Sequence, residues 1–233
     1  MSLPLSLKSL ALGSALAPHT LEIYVRPFSA KILINFHEQV RPLLFGEDAP
    51  FKNKVRVVLR PVPQPWHASS TYLHETALAI ARLAPTDPDV LANPETNPFY
   101  QYSVALMRES SRWYSSKAHD KTADQIRSEL AALAVDVLSE QPRKAGTTPT
   151  LSVPSGEALG QEIRKLTRDS DDGNTGTEVV PDLKYCIKLG RQTGVHVTPT
   201  VLWNGIIEPS VSSSFSASEW RSFFDERIPK ANM

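Results

Sequence analysis

The chain has 233 residues, enough for one large domain or for a domain carrying an inserted subdomain, and its 25 basic residues balance 25 acidic ones. That neutrality gives no global field to draw in nucleic acid or an anionic membrane, so neither partner is expected. A single cysteine excludes a disulfide framework, and no run approaches the roughly 18 apolar residues of a membrane span.

Residues 1–17 imitate a secretory signal at Ala15-Leu16-Ala17. Lys8 interrupts the apolar run and no basic region precedes it, so the expectation is a retained N-terminal arm packing on a cytoplasmic domain. Thr20-Leu21-Glu22-Ile23-Tyr24-Val25 has the alternation and β-branched content of a first strand. Pro27 suits the first turn of a helix, where its missing N–H costs nothing, and Phe28, Ile32, Phe36, Val40 and Leu44 then recur every four residues as one apolar face. Residues 54–62 read as a second strand, apolar at Val55, Val57, Val58 and Leu59. A helix between two strands predicts a parallel, right-handed crossover.

The middle of the chain reads as helical. Ser69 or Ser70 can cap a helix with Leu73, Ala77, Ile80 and Ala81 inward, and residues 84–89, with Pro85 and Pro88, stop it. After Asn97-Pro98 the pattern predicts a helix holding Tyr102, Leu106 and Trp113. Residues 122–139 predict another, with Thr122 as cap and Ile126, Leu130, Leu133 and Val137 at helical spacing. Residues 141–154 are rich in Pro, Thr and Ser, either a linker or a surface loop. Leu159, Ile163 and Leu166 suggest one more short helix. The cluster 169–176 is a polar turn without the regular oxygen spacing of a calcium loop, so no metal site is expected. Residues 182–189 read as a late helix carrying Cys186.

Proline 199 stands where a buried strand should begin. It cannot donate a ladder hydrogen bond, so Thr198-Pro199, in either isomer, belongs at the mouth of a strand Thr200-Val201-Leu202-Trp203. Asn204-Gly205 then predicts a hairpin into Ile206-Ile207-Glu208, and Ser216 or Ser218 can cap a last helix through Trp220, Phe223 and Phe224. His196 lies two residues before Thr198, so on an extended strand both point to one side.

The Thr198-Pro199 strand entry, the Arg26-Pro27-Phe28-Ser29 turn after the first strand, the Arg60-to-His67 exit of the second strand and the block 182–205 together resemble the DsbA-like family of the thioredoxin-fold superfamily. The resemblance touches both ends of the chain. It implies an α/β, thioredoxin-like fold with a helical insertion between βαβ and C-terminal ββα halves. Residues 18–66 and 178–230 would form the thioredoxin-like domain and 67–177 the inserted helical subdomain.

Relatives typically carry Cys-Pro-x-Cys or Cys-Pro-x-Ser where this chain has Arg26 and Ser29. Arginine stays protonated and is no nucleophile, so dithiol exchange at this place is excluded. Cys186 cannot close an intramolecular bridge. It reads as a packed apolar residue, or else as a reactive thiol that could join two copies in a homodimer.

What the helix start can still do is hold an anion, with Arg26 adding a forked donor. The backbone at Thr198 and Pro199 is where thioredoxin-fold relatives hold extended peptides or glutathione. The expected ligand cleft is therefore Arg26, Pro27, Thr198 and Pro199. His196 is a possible proton carrier, and Trp66-His67 either line the cleft or anchor the insertion. Two functions follow from this cleft, beside a third, a peroxidase or thiol-transferase that would use Cys186 alone. One is a binding protein without thiol–disulfide activity that takes a small molecule or extended peptide. The other, implied by resemblance to kappa-class glutathione transferases and hydroxychromene-carboxylate isomerases, is glutathione-dependent chemistry with Ser29 as the catalytic, thiolate-stabilising hydroxyl. The alternative for Ser29 is a local bond to the helix backbone.

Overall fold

A computed structural model describes residues 3–26, 30–139, 151 and 156–229. Pro27, Phe28, Ser29 and nearly all of the 141–154 segment lie outside the described residues.

The N-terminal segment is built into the domain. A 3-10 helix, Leu5–Leu10, leads into strand β1, Ala11–Leu12, and Leu7, Leu10 and Leu12 are buried. Strand β2 is His19–Val25. The following helix comes in three pieces: α1, Ala30–Asn35, a π-helical turn at Phe36–Val40, and α2, Arg41–Leu44. The four-residue spacing predicts a uniform helix, and Ile32, Phe36, Val40 and Leu44 are indeed buried. The widened turn precedes Pro42, whose ring would clash with the carbonyl four residues back and which has no N–H to offer it.

Strand β3, Val55–Pro61, lies parallel to β2, His19 facing Val55 and Val25 facing Pro61. Helix α3, Ser70–Leu83, follows. Ser69 occupies its N-cap position without capping it, because the hydroxyl donates to the Trp113 carbonyl at 2.6 Å. The 84–89 break also starts a short helix that the proline count hides, α4, Pro88–Ala92, with Asp87 as cap. Helix α5, Pro98–Glu109, ends before Trp113, which sits instead on a 3-10 turn, Ser110–Trp113, and is fully buried. Asn97 caps α5 at the Tyr100 N–H and donates to the carbonyls of Ser9 and Leu91, so one buried amide ties the N-terminal segment to two helices.

Three more helices complete this region: α6, Ser115–Ala118, α7, Ala123–Ser139, and α8, Glu157–Leu166. Thr122 and Gln125 exchange the reciprocal bonds of a capping box at the start of α7. The polar turn after α8 is held by an isolated bridge between Asp169 and Thr177. Arg127 reaches Asp169 at 2.7 Å, so that carboxylate is spent on an ion pair. Among the described residues no three His, Cys, Asp or Glu side chains converge as a metal site, and no helix is long and apolar enough to cross a membrane.

Helix α9, Val180–Gln192, carries Cys186. Strand β4, Thr200–Trp203, is antiparallel to β2 and joins β5, Ile206–Ile207, through Asn204 and Gly205. Both turn residues have positive φ, 51° and 84°, the conformation a two-residue hairpin needs and the reason for this residue pair. Helix α10, Ala217–Arg227, closes the chain with a full capping box between Ser216 and Glu219. The sheet among the described residues has the order β1-β3-β2-β4-β5. Leu21, Ile23 and Val25 join the main core on one face. On the other face Tyr24 packs with Val195, Leu202 and Val62.

Candidate ligand site at the end of the central strand

The parallel pair β2–β3 and the antiparallel strand β4 bring three chain segments to one edge of the sheet: the exit of β2 at Arg26, the exit of β3 at Val62, and the entry of β4 at Pro199. The Val62 N–H still donates to the Val25 carbonyl at 3.0 Å, which fixes the two exits side by side. Tyr24 faces Thr200, the last pair of the β2–β4 ladder before the bend at Thr198 and Pro199. The Thr198–Pro199 peptide is cis. Thr198 is buried while Pro199 is exposed.

Arg26 does not stand alone. Its guanidinium carbon lies 5.8 Å from the centre of the Trp66 ring, within cation–π range. Trp66 is 62% exposed, so it does not anchor the helical region by burial; it lies open at the site beside Arg26. His67 has its pKa lowered, first by partial burial and then by the positive charge of Arg26.

His196 departs from the extended-strand expectation. Residues 195–199 bend before β4 begins at Thr200, so His196 is exposed while Thr198 is buried, and the two do not share a side. The hydroxyl of Thr200 donates to the Val197 carbonyl at 2.7 Å and fixes that bend. Val197 becomes an exposed apolar residue, 63% accessible. Nothing in the sequence pattern singles it out.

Beneath these segments the support is polar and buried. Glu22 faces Val58 and Tyr24 faces Arg60, so Glu22 and Arg60 are diagonal neighbours on one sheet face, joined by a 2.7 Å ion pair. The Tyr24 hydroxyl meets Thr193 Oγ1 at 3.2 Å, and burial raises its pKa against that bond. Gly190 lets α9 approach this ring: a Cβ there would lie 3.4 Å from Tyr24 Cε1. His74, fully buried on α3, points Nδ1 at the Ser70 carbonyl at 2.7 Å and Nε2 at the Val25 carbonyl at 3.5 Å. A neutral imidazole has one N–H, and the shorter contact assigns it to Nδ1. Burial pushes the His74 pKa down to about 4.

Cys186 is 1% exposed in the main core, and burial pushes its thiol up to about 12. A thiol so placed cannot join two copies of the folded chain. The sulfur reads as a packed small residue.

A groove of about 1350 Å³ opens at the far end of the sheet, near Gly13, Leu16, Phe45 and Arg56. Arg56 faces Thr20, near the start of β2, whereas Arg26 follows its end. Arg41 there pairs with Glu95, and Lys52 stands among Glu47, Asp48 and Asp89, so the groove has no dominant charge.

No protein-family model and no curated protein matches the sequence. Solved structures do match the architecture. A candidate protein-disulfide isomerase from Pseudomonas syringae aligns over 92% of this chain and 97% of its own, with TM-score 0.60 and 22% identity. DsbA from Chlamydia trachomatis aligns over 93% and 89%, with TM-score 0.55 and 18% identity, and oxidised BdbD from Bacillus subtilis over 94% and 92%, with 0.56 and 12%. The fold is DsbA-like. These alignments span nearly the whole chain, so the helical region between β3 and α9 is part of the shared architecture.

The expected ligand set is thus brought together in part. Arg26 and Trp66 are in cation–π contact, Thr198 and Pro199 stand at the entry of β4, the strand that pairs with β2, and His196 is exposed. Pro27 and Ser29 lie outside the described residues.

Proposed function

We infer that this chain is a ligand-binding protein on a DsbA-like fold and does not exchange disulfides. The observation that carries this reading is the state of its one cysteine: Cys186 is buried, with its pKa pushed up to about 12, and sits on α9 rather than at the β2 exit. Exchange chemistry needs an accessible thiolate and a second thiol to resolve the mixed disulfide, and the sequence offers neither. At the β2 exit stands Arg26, a permanent cation whose guanidinium carbon lies 5.8 Å from the centre of the Trp66 ring. Its forked donors suit a carboxylate or phosphate, and Thr198 and Pro199 border the same edge. The ligand is a small anion-bearing molecule or an extended peptide. A protein working this way needs no oxidising compartment, which fits a cytoplasmic location.

Insulin reduction by dithiothreitol, followed with and without the protein, tests the inference. No acceleration is expected at any pH from 6 to 8.5. Acceleration that disappears in Cys186→Ala would overturn it.

A further inference from the structure

We propose that the groove at the far end of the sheet is a second ligand site, which takes an apolar carboxylate of the size of a medium-chain fatty acid. Its headgroup sits on Arg56 and its tail runs among Leu44, Phe45, Leu91 and Leu16. Arg56 faces Thr20, and six residues of extended chain, about 20 Å, separate Thr20 from Arg26. The proposal therefore goes beyond the binding reading above and does not depend on it.

The groove is built by close backbone approach. Gly13, just after β1, has a φ of 81°, and a Cβ there would lie 2.9 Å from the Val55 carbonyl oxygen. The Gly13 N–H donates to the Ala92 carbonyl at 2.8 Å, which ties the end of β1 to α4. The segment after β1, helix α2 with the turn that follows it, the start of β3 and helix α4 then wall a concavity of about 1350 Å³. That is ample for a small-molecule site. Among its lining residues Leu44 and Leu91 are buried, Phe45 is half-buried and Leu16 is 93% exposed. An apolar ligand gains there by covering Leu16 and burying its own methylenes.

The charges decide the headgroup. The groove is balanced overall, but its cations and anions are not equivalent. Arg56 is half-buried, and among the described residues its side chain has no hydrogen-bond or ion-pair partner. Glu22, diagonal to it across the β2–β3 register, is spent on Arg60, and Glu95 is spent on Arg41. Glu47, Asp48 and Asp89 are exposed, where water and salt screen them. A partly desolvated guanidinium beside apolar walls suits the two oxygens of a carboxylate.

The probes are octanoate, hexanoate, octan-1-ol and octylammonium, each titrated into the labelled protein and followed by amide NMR. Octanoate should bind saturably, with shifts gathered at Leu16, Phe45, Arg56 and Leu91. Its affinity should exceed that of octan-1-ol about fivefold or more, the worth of a charge-assisted bond to a half-exposed cation. It should exceed that of hexanoate roughly tenfold, since each buried methylene is worth about fourfold. Arg56→Gln should bring octanoate down to the affinity of octan-1-ol and leave the alcohol unchanged. Leu16→Ser should weaken octanoate and octan-1-ol alike, with urea midpoints checking that both variants fold. The comparison among ligands on the unaltered chain stands whether or not they do. Octan-1-ol or octylammonium binding as tightly as octanoate overturns the proposal. So do shifts centred on Trp66, or no saturation at millimolar octanoate.

Discussion

The Glu22–Arg60 pair gives the sharpest energetic prediction. Both side chains are nearly out of water, 15% and 4% exposed, and the 2.7 Å contact from Arg60 Nε to Glu22 satisfies only part of the guanidinium. Nη1 of Arg60 is buried without a hydrogen-bond partner. Removing one member of such a pair strands a buried charge, at a cost of about 3 to 5 kcal/mol, whereas replacing both by apolar groups of similar size is often neutral or better. Glu22→Gln should therefore cost about 3 kcal/mol, a large part of a domain stability of roughly 5–15 kcal/mol. The double replacement Glu22→Leu with Arg60→Met should return to within about 1 kcal/mol of the parent, the more so because Nη1 has nothing to lose. Urea unfolding read by circular dichroism measures both, provided the slope stays constant so that midpoints report stability. A cost below about 1 kcal/mol for Glu22→Gln would refute the reasoning by showing that water reaches the pair. A double variant no better than the worse single would show that shape, not charge, holds the site.

Other outcomes follow from the same geometry. With its pKa near 12 instead of 9, Cys186 has about a thousandfold less thiolate than an ordinary cysteine at pH 8, so an aromatic disulfide reagent should label it slowly until urea is added; prompt native labelling would contradict the burial. His74 has a folded pKa near 4 against an ordinary 6.5, so the unfolded chain takes up its proton first and stability falls as pH drops from about 6.5 to 4. That loss amounts to about 3 kcal/mol, and His74→Gln should flatten it in urea midpoints taken at pH 7, 5.5 and 4.5. Leu10 is fully buried, and Leu10→Ala should cost about 3 kcal/mol by the same measurement; a loss under about 1 kcal/mol would mean that the N-terminal segment docks only loosely.

Much of this architecture is legible in the sequence because it rests on local chemistry. Proline at the mouth of β4, the positive-φ pair Asn204-Gly205 and the Ser216–Glu219 cap each dictate a backbone form within a few residues. What is not legible depends on distant partners. Glu22 and Arg60 look like ordinary strand charges until the parallel register sets them diagonally together. Ser69 would cap α3, but the Trp113 carbonyl, 44 residues away, takes its hydroxyl. His196 and Thr198 have strand spacing, yet the bend fixed by Thr200 puts one outside and the other inside. Arg26 and Trp66 are separate expectations in the sequence, and only the adjacent ends of β2 and β3 bring them within cation–π range. Val197 carries no sequence signal at all, since exposure is a property of the fold.

Amide NMR of the labelled protein, titrated with reduced glutathione, an anion-bearing and extended tripeptide, tests most directly where this fold holds a ligand. Shifts confined to Arg26, Trp66, His67 and residues 196–200, with the Trp66 indole N–H among the first to move, are what the account predicts. Shifts gathered instead around Leu16, Phe45 and Arg56, at the far end of the sheet, would contradict it.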